Sequence, residues 1–534
     1  MQYSLAYGRG QLDVELPEKN VVKVLKTQSA AAVEEPLDAV FDVLEEPIEA
    51  EPLAAIAEGK KSACVVICDT TRPAPNPIVL APILQTLEDS GIDLPKITIL
   101  ISTGLRRNST AEERTELIGE DIALRKFKVS DHSARKLHQH EYLGVTKSGK
   151  PIWVDRRYLE AEVKVLTGII EPHPIAGFSG GREAICPGIA ASETIAACYS
   201  PEQLHHENVR PGNFEDNPIH AEQMEIARKA GCDFIVNVIL NQDRQIAKVV
   251  GGHLNYAFLE GAAIARKRQT DTVEKQVDIV VTSGGGFPYD KTWYQTMHGI
   301  IGALDILKPG GTIIIASACD EGIGGEEFEN PGEPFATIDE FIAAVTSSEN
   351  GETRQSHELQ QTLQELSIAL HKGRVKVVAK GVTPEMLQKF CVTPSESVES
   401  ALAEALEEYG PEASIAVIPS GPTVLALAKH KEPYTPVPPK PVPPKPAPPP
   451  SEELPEEQPE EPESAETPEP EEPKKTPAKK AAAKKTTVKK AATKKTTAKK
   501  TTVKKAAVKK TTEKKATTKK SAKKPAEQNE EPEA

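Results

Sequence analysis

The feature that most constrains the fold is an alternation of short apolar runs with segments of helical period. Ser62–Cys68 and Ile97–Ser102 are apolar runs of strand length, and Pro77–Gly91 between them has apolar residues at helical spacing. Val277–Thr282 and Thr312–Ser317 repeat the arrangement further along the chain, and Lys308-Pro-Gly-Gly311 before the second run predicts a turn. Such alternation is typical of parallel strands covered by helices, so the sequence predicts an α/β fold.

The alternation occurs in two blocks, which a polar and aperiodic stretch at Lys267–Lys275 separates. We therefore predict two α/β domains, residues 1–268 and residues 269–428, whose mostly parallel sheets flank a central cleft. In folds of this kind ligands bind outside the carboxyl ends of the strands and between domains. The cleft is thus the expected site.

The last part of the chain, residues 429–534, has a different composition. It contains a proline-rich stretch (Glu432–Pro450), a stretch with 11 glutamates and no basic residue (Ser451–Glu472), and a run of lysine pairs spaced by Ala, Thr and Val (Lys474–Lys524). Large apolar side chains are so scarce there that burial cannot offset chain entropy. We therefore predict a disordered tail, with its proline-rich part extended as polyproline II.

The tail also differs from the rest in charge. Residues 431–534 carry 25 lysines and 17 acidic residues, so the net charge of −14 conceals a strongly acidic first part. That part is not expected to bind nucleic acid through bulk charge. Lys474–Lys524 resembles the tails of linker histones, which attract phosphate backbones without reading sequence. Nonspecific binding to nucleic acid or another polyanion, a solubilising role, and pairing with the Glu-rich stretch all remain open.

The seven cysteines are scattered and form no CxxC pair. Most lie in apolar runs, which is typical of buried free thiols in a reducing compartment. The first residues lack the charged and apolar regions of a signal peptide. No apolar run reaches the length of about 18 residues that a membrane helix needs. We therefore expect a cytoplasmic protein with no membrane partner.

Two loops that follow predicted strands carry candidate ligand-binding residues. Asp69-Thr-Thr-Arg72 follows the first strand, and Thr103-Gly-Leu-Arg106 follows the second. Arginine forms paired hydrogen bonds with carboxylates and phosphates. The alternative is structural, with Asp69 capping its own loop and pairing with Arg72, and with the second loop solvated. Asp131-His132, after a third apolar stretch, is a weaker candidate.

The segment Glu171–Gly188 combines a strand end, a histidine and a glycine-rich turn. It follows the apolar run Val163–Ile170, and His173 at its start is a candidate acid or base. Ser179-Gly180-Gly181 can present backbone amides and a hydroxyl to an anion, ahead of a predicted helix. A Gly-Gly turn alone is common, so the combination with His173 is what indicates a site.

A further candidate lies on the helix that follows Ser283-Gly-Gly-Gly286. Gln295 and His298 are three residues apart and share one face of that helix. The alternative is an ordinary helix surface. The chain has no Walker A or HExxH motif, so it shows no sign of the corresponding NTPase or metalloprotease chemistry.

Taken together, these segments resemble the nickel-dependent lactate racemase family. The matching elements, which span about residues 1–425, are Asp69-Thr-Thr-Arg72-Pro, Thr103-Gly-Leu, Asp131-His132, Glu171-Pro-His173, Ala176-Gly-Phe-Ser-Gly-Gly-Arg182, Ile185-Cys-Pro-Gly188, Glu193-Thr-Ile195, Asn217-Pro218 and Tyr294-Gln295. The resemblance implies a cleft in which 2-hydroxy acids are racemised or epimerised. It also implies a nickel pincer nucleotide, attached to a lysine, that accepts a hydride from the carbinol carbon and returns it to either face.

The resemblance assigns roles to the residues that match the family's motifs. His173 corresponds to one of two base histidines and is also a candidate metal ligand. Arg72 and Gln295 correspond to substrate-binding residues. Asp69 and the turn Ser179-Gly180-Gly181 correspond to residues around the cofactor.

Four positions depart from the family's pattern. Arg106 replaces the second base histidine, Glu183 the pincer-bearing lysine, Tyr199 the nickel-ligating histidine and His298 the substrate-side lysine. Glutamate has no amine for the covalent link, and tyrosine is a poor nickel ligand beside imidazole. Arginine stays protonated at neutral pH and cannot act as a base. We therefore expect the reaction to be altered or lost, with the pincer not covalently bound or with no cofactor.

The first hypothesis is that the cleft binds a small 2-hydroxy acid or related carboxylate. Arg72, Arg106, Gln295 and His298 would hold it, and His173 would lie over the carbinol. The protein would then bind without turnover or perform one-base chemistry such as enolisation or elimination.

Other hypotheses remain open at this point. The protein is an active racemase or epimerase whose loosely bound pincer uses Cys198, His205 or His206 as the nickel ligand. Alternatively, the folded part senses a ligand and the Lys-rich tail tethers it to nucleic acid. A metal site formed by Asp69, His173 and Glu183, with oxygen-rich ligation suited to Mn or Mg, is a further possibility.

Overall fold

The computed structural model describes residues 1–324, 337–346 and 357–431. The predicted tail lies outside these residues, apart from its first three positions. No helix within the described ranges is both long and apolar enough to cross a bilayer.

The first sheet has six strands, which run parallel except for one edge strand. In spatial order they are β13 (Ile246–Gly252), β12 (Phe234–Leu240), β9 (Val163–Ile169), β4 (Ala63–Cys68), β5 (Ile97–Ser102) and β6 (Lys128–Asp131). β13 pairs antiparallel with β12. The chain builds β4, β5 and β6 in one direction and then places β9 and β12 on the other side of β4. The order of the strands therefore reverses between β4 and β9, where a crevice opens at their carboxyl ends.

The second sheet has six parallel strands. In spatial order they are β18 (Thr393–Pro394), β17 (Arg374–Ala379), β16 (Leu307–Ser317), β15 (Val277–Ser283), β19 (Ile415–Ile418) and β3 (Val21–Val24). Here the order reverses between β15 and β19. A second crevice therefore lies at the carboxyl end of β15, just before the triple-glycine loop.

Eight further strands form four two-stranded pairs. They are β1 (Gln2–Tyr7) with β2 (Gly10–Glu15), β7 (His140–Val145) with β8 (Pro151–Asp155), β10 (Pro172–His173) with β11 (Gly177–Phe178), and β14 (Thr270–Lys275) with β20 (Leu425–His430). The first three pairs are antiparallel and the last is parallel.

Helices cover the two large sheets and connect their strands. They are α1 (Pro36–Glu45), α2 (Leu53–Ala57), α3 (Asn76–Asp89), α4 (Ala111–Ile118), α5 (Glu120–Ala123), α6 (Arg156–Leu159), α7 (Ser192–Cys198), α8 (Pro201–Leu204), α9 (Pro218–Ala230), α10 (Tyr256–Gln269), α11 (Trp293–Ala303), α12 (Ile338–Thr346), α13 (His357–Lys372), α14 (Pro384–Lys389) and α15 (Val398–Tyr409). Local signals set several of their starts. At α9, for example, the Asn217 side chain accepts hydrogen bonds from two backbone amides of the first turn, and Pro218 follows it.

The residues of β4 show why the strands are apolar at every position. Cys64 and Val66 belong to one apolar cluster, and Ala63, Val65 and Ile67 belong to another. Alternate residues of a strand face opposite sides of the sheet, so both faces of this sheet are covered. β15 is shared in the same way between two clusters. The predicted α/β class with parallel sheets is thereby confirmed.

Three local predictions differ from the structure. Lys267–Lys275 is regular: α10 continues to Gln269 and β14 follows it. Lys308–Gly311 belongs to β16 rather than to a turn. The glycine-rich run opens only a short 3-10 turn, Gly181–Ala184. Polar residues conceal regular structure at Lys267–Lys275, because β14 obtains its hydrogen bonds from β20, which lies far along the chain. At the start of β16 a register shift lies between Leu307 and Thr312 in the pairing with β15.

The division of the chain at residue 268 stays a prediction. Strand pairing does place one early segment elsewhere, since β3 joins the second sheet beside β19. The hairpin β1–β2 contributes Leu5, Val14 and Leu16 to an apolar cluster with residues of β15 and β19. Residues 2–24 therefore pack with the second sheet, although we assigned them to the first domain.

Candidate functional site

The crevices of the two sheets face each other and form one cleft. Side-chain hydrogen bonds join its two walls. Tyr289 donates its hydroxyl to Glu171 Oε2 at 2.5 Å, Lys291 Nζ donates to Thr70 Oγ1 at 3.3 Å, and Gln295 Nε2 donates to the Thr71 carbonyl at 3.4 Å. The loops after β4 and β9 are thus tied to the segment after β15.

Nearly all residues that the sequence singled out line this cleft. They are Asp69, Arg72, Arg106, His173, Ser179, Gly180, Glu183, Tyr199, Gln295 and His298. Gly181 lies next to this wall without lining it. Most of them lie in the segments that follow β4, β5 and β9, whereas Tyr199 ends α7, and Gln295 and His298 lie on α11. The roles that we assigned to them stay predictions.

His173 has hydrogen-bond partners for both ring nitrogens. Its Nε2 lies 2.9 Å from Glu183 Oε1. Its Nδ1 accepts from the backbone amides of Ile175 and Ala176, at 3.4 and 3.2 Å. A nitrogen that accepts from amides carries no hydrogen, so the partners assign the hydrogen to Nε2, which donates it to Glu183. Both ring nitrogens therefore form hydrogen bonds within the protein, and neither is available to accept a proton from a ligand.

Glu183 occupies the place where the resemblance expects a lysine, and its carboxylate is bonded on both oxygens. Oε1 accepts from His173, and Oε2 accepts from the Gly180 amide at 3.3 Å. Burial raises the pKa of this carboxyl, but the hydrogen bond from His173, together with the charges of Arg72 and Arg182, outweighs burial and holds the pKa below its usual range. Glu183 is therefore ionised, and its carboxylate links the His173 ring to the Gly180 amide of the glycine turn.

The glycine turn uses its polar groups internally. Ser179 Oγ accepts from the Glu171 amide at 3.0 Å and donates to the Ile169 carbonyl at 2.9 Å. The Gly181 amide donates to Asn237 Oδ1 at 3.1 Å. The amides of Gly180 and Gly181 are thus already satisfied by acceptors of the protein. This turn does not present free amides to an anion, as the sequence had suggested.

His298 is the imidazole in the cleft without a hydrogen-bond partner among the described residues. Its ring lies edge-on to His173, with 5.2 Å between the ring centroids. Burial, with the charges of Arg72 and Arg106, holds its pKa well below the usual value. The ring is therefore neutral, and one of its nitrogens is an acceptor open to a ligand.

Arg72 faces the cleft with most of its guanidinium uncommitted. Within the described ranges its one ionic partner is Glu171, whose Oε1 lies 4.0 Å from Nε, and its two Nη groups have no hydrogen-bond partner. Burial raises the pKa of Glu171 to about 7, although Arg72 and the Tyr289 hydroxyl lower it. Glu171 and Tyr289 were not singled out from the sequence. Their positions, directly after β9 and in the triple-glycine loop after β15, are the signal that could have identified them.

Arg106 is paired with Asp69. Its Nε donates to Asp69 Oδ2 at 2.6 Å, and Thr71 donates to Oδ1 from its amide and its hydroxyl, at 3.2 and 2.7 Å. Burial raises the pKa of Asp69, but Arg106 and Thr71 outweigh it and lower the pKa. Asp69 therefore organises its own loop, as the structural alternative held, although its partner is Arg106 rather than Arg72.

Gln295 lies in the first turn of α11, where Thr292 caps the helix. Its amide donates to the Pro288 carbonyl at 2.9 Å as well as to Thr71. The side chain thus links the two walls of the cleft through backbone carbonyls. Its position is what the resemblance predicts, but its hydrogen-bond donors are directed at the protein.

The residues present do not fit a lysine-tethered nickel pincer. Glu183 has no amine, and its carboxylate is bonded to His173. The Tyr199 hydroxyl accepts from Gln223 Nε2 at 3.0 Å, and burial keeps its pKa well above the usual value, so no phenolate is available. Among the described residues, no three His, Cys, Asp or Glu side chains are grouped as metal ligands. The site proposed from Asp69, His173 and Glu183 is thus not assembled.

The substitute nickel ligands considered from the sequence do not lie in the cleft. Cys198 is fully buried, and its thiol contacts that of Cys186. His205 Nε2 bonds to Gln364 Oε1 at 2.8 Å, and His206 Nδ1 accepts from a backbone amide. None of these three lines the cleft wall.

Asp131-His132 is part of a buried structural network. His132 Nδ1 lies 3.0 Å from Asp155 Oδ2, and its Nε2 lies 3.0 Å from the Ala190 carbonyl. The ring is fully buried between these two oxygen atoms. Arg157 also donates to Asp155, at 2.6 and 2.9 Å. These bonds fix the loop that carries Ala190 against the sheet.

Comparison with known proteins gives a consistent result. Residues 7–211 match the lactate racemase N-terminal domain, and residues 272–426 match the lactate racemase C-terminal domain. The lactate racemase of Thermoanaerobacterium thermosaccharolyticum is 32% identical over 429 residues, which span 80% of this chain and 99% of that protein. The lactate racemase of Lactiplantibacillus plantarum is 29% identical over 419 residues, which span 78% and 97% respectively.

Solved structures agree with the sequence matches. The lactate racemase apoprotein from Thermoanaerobacterium thermosaccharolyticum has a TM-score of 0.72 at 31% identity, covering 80% of this chain and 100% of that one. A protein from Thermotoga maritima has a TM-score of 0.56 at 16% identity, covering 76% and 100%, which shows a likeness of fold alone. With both domain matches and the high coverage, this chain belongs to the lactate racemase family.

Proposed function

We propose that the cleft binds a small 2-hydroxy acid or related carboxylate, without a covalently attached nickel pincer. The observation that carries the proposal is the combination of Arg72 and Glu183. Arg72 directs an uncommitted guanidinium into the cleft, while Glu183 holds a carboxylate where a tethered cofactor requires an amine.

The ligand carboxylate would pair with the two Nη groups of Arg72. A guanidinium matches a carboxylate through two parallel hydrogen bonds, and a mostly buried site strengthens them. Arg106 adds a second positive charge to the same wall, although Asp69 offsets part of it. A small anion is therefore favoured over a neutral molecule of the same shape.

The ligand hydroxyl would meet His298. This ring is neutral and has an acceptor nitrogen without a partner in the described part of the chain, so it can accept the hydroxyl hydrogen. His173, which we predicted as the base from its motif, is instead held by Glu183 and two backbone amides. We therefore transfer the role of contacting the hydroxyl to His298, and give His173 the role of orienting Glu183.

The reaction is proposed to be altered or lost relative to the family's. Racemisation through the family's mechanism needs a group that accepts a hydride from the carbinol carbon, and no side chain in the cleft can do so. The side chains present can bind the acid, exclude water and exchange a proton at its hydroxyl. Binding, rather than inversion at the carbinol carbon, is the activity that they support.

Calorimetric titration of the full-length protein with L-lactate, D-lactate and propionate tests this proposal. We expect both lactates to bind, and propionate, which lacks the hydroxyl, to bind more weakly. Arg72→Gln removes hydrogen bonds to a charged group, each worth about 1.5–3 kcal/mol, so affinity should fall at least roughly tenfold. Arg125→Gln, which removes an exposed arginine paired with Glu88, is the matched control and should bind as the wild type does.

Two results would overturn the proposal. One is the absence of any heat of binding for either lactate at millimolar concentration. The other is a lactate affinity that is the same in Arg72→Gln as in the wild type and the control.

A further inference from the structure

A second cavity lies apart from the cleft, where α13 and the end of α11 approach β20 and the segment after α8. Its walls are mainly aliphatic, and the side chains that matter here are Leu204, Val209, Ile301, Ile368, Leu425 and Leu427. None of the residues around this cavity lines the cleft. Whatever it holds is therefore distinct from the ligand proposed above.

One wall of the cavity is a face of α13. Glu365, Ile368 and Lys372 follow each other at helical spacing and all line the cavity. Glu365 is only 2% exposed. One of its oxygens accepts from Gln361 Nε2 at 3.1 Å, and no other described residue donates to the carboxyl. A buried carboxyl of this kind normally has more partners, so this one retains capacity to bond a ligand.

Burial raises the pKa of Glu365 to about 7. Part of the population therefore carries a hydrogen on this carboxyl at neutral pH. In that form it donates to an oxygen of a ligand and does not repel an anion. The wall is thus compatible with an acidic molecule.

The mouth of the cavity is positively charged. Arg210 is exposed there, and within the described ranges its side chain forms no hydrogen bond or ion pair. Arg266 also lines the mouth, donates to the Gly212 carbonyl and lies over the rings of Phe178 and Phe214 at 5.4 and 5.6 Å. Lys431 and Asp305 pair with each other, so they add no net charge. Arg210 is left as an open cation beside an apolar interior.

We propose that this cavity is a second binding site, for an amphipathic carboxylate whose apolar body lies between α13 and β20 and whose acid group pairs with Arg210. Aliphatic walls favour an alkyl chain, because burial of apolar surface contributes roughly 25 cal/mol per Å². The free guanidinium selects an anionic end over a neutral one. This site does not depend on the function proposed for the cleft.

Titration of the full-length protein with octanoate and 1-octanol tests the site, since the two probes share a chain and differ in the acid group. We expect octanoate to bind at least tenfold more tightly than octanol. Arg210→Gln should weaken octanoate at least fivefold and leave octanol unchanged. Arg228→Gln, an exposed arginine on α9 outside the cavity, is the matched control and should have no effect.

A cavity-filling variant locates the binding. Ile368→Trp should abolish octanoate binding while lactate still binds in the cleft, and an unchanged circular dichroism melt would show that it folds. Three results would each overturn the proposal. The first is octanoate binding that survives both Ile368→Trp and Arg210→Gln. The others are equal affinity of the wild type for octanol and octanoate, and no binding of octanoate by the wild type.

Discussion

Glu171 offers the sharpest test of the electrostatics of the cleft. Its side chain is buried, accepts the Tyr289 hydroxyl and lies 4.0 Å from Arg72 Nε. Desolvation raises its pKa from 4.5 to about 7 in the folded protein. The change to make is Glu171→Gln, which keeps an oxygen for Tyr289 but cannot ionise.

The sign of the effect follows from proton linkage. Between about pH 4.5 and 7 the unfolded state has lost the Glu171 proton while the folded state retains it, so stability falls as pH rises. One pKa unit corresponds to about 1.4 kcal/mol, and a shift of this size therefore costs the wild type about 3 kcal/mol by pH 8. Glu171→Gln lacks this cost. Relative to the wild type, the variant should gain about 2.5 kcal/mol of unfolding free energy between pH 5 and 8, because part of the cost is already present at pH 5.

Urea unfolding at pH 5, 6, 7 and 8 measures this difference. The exposed Glu46→Gln is the control for loss of a negative charge, and its difference from the wild type should not vary over this range. If Glu171→Gln differs from the wild type by the same amount at pH 5 and pH 8, the burial argument is wrong.

The ionisation of Glu171 should also affect ligand binding. When Glu171 ionises, it competes with a ligand carboxylate for Arg72, and Glu183, Arg244 and Tyr289 also face it. Lactate affinity of the wild type should therefore fall from pH 6 to pH 8. In Glu171→Gln the affinity should change much less over the same range, as calorimetric titration at each pH would show.

Three further substitutions test individual structural assignments. Asp155→Leu leaves the buried His132 ring and Arg157 without their shared carboxylate, so urea unfolding at pH 7 should show a loss of about 3–5 kcal/mol, and a loss below about 1 kcal/mol would contradict the assignment. Gly180→Ala places a side chain on a residue at φ +90°, with its Cβ 2.9 Å from a neighbouring side chain. Thermal unfolding should therefore show a loss of about 1–3 kcal/mol in the free energy of unfolding. Tyr199→Phe removes one hydrogen bond to Gln223, so it should cost only about 1 kcal/mol in urea and leave lactate affinity unchanged. A large loss of affinity would instead place Tyr199 at the ligand.

The sequence was sufficient for the fold class because the strands of the two large sheets are covered on both faces. β4 is apolar at every position, and the buried positions of β15 are apolar as far as Val281, so both strands were recognisable without their neighbours. β3 was not recognisable, since it is a four-residue edge strand that contains a lysine. Its partner strand, β19, lies almost 400 residues further along the chain. Sequence pattern contains no information about such long-range pairing.

The candidate site was predictable in its membership but not in its hydrogen bonding. Asp69, Arg72 and His173 meet because they follow β4 and β9, which flank a switch point. That Glu183 bonds to His173, and Arg106 to Asp69, depends on side-chain conformations that only the folded chain defines. For this reason the resemblance pointed to His173 as the base, whereas the structure leaves His298 as the imidazole open to a ligand.

The most direct test of cofactor independence is the intact mass and nickel content of the protein after production together with the cofactor-synthesis proteins of a lactate racemase. The Thermoanaerobacterium thermosaccharolyticum racemase, produced in the same way, is the positive control. We predict that the wild-type chain has the mass of its unmodified sequence, carries no stoichiometric nickel and still binds lactate. A covalent adduct with one nickel per chain in the wild type would contradict the role given to Glu183.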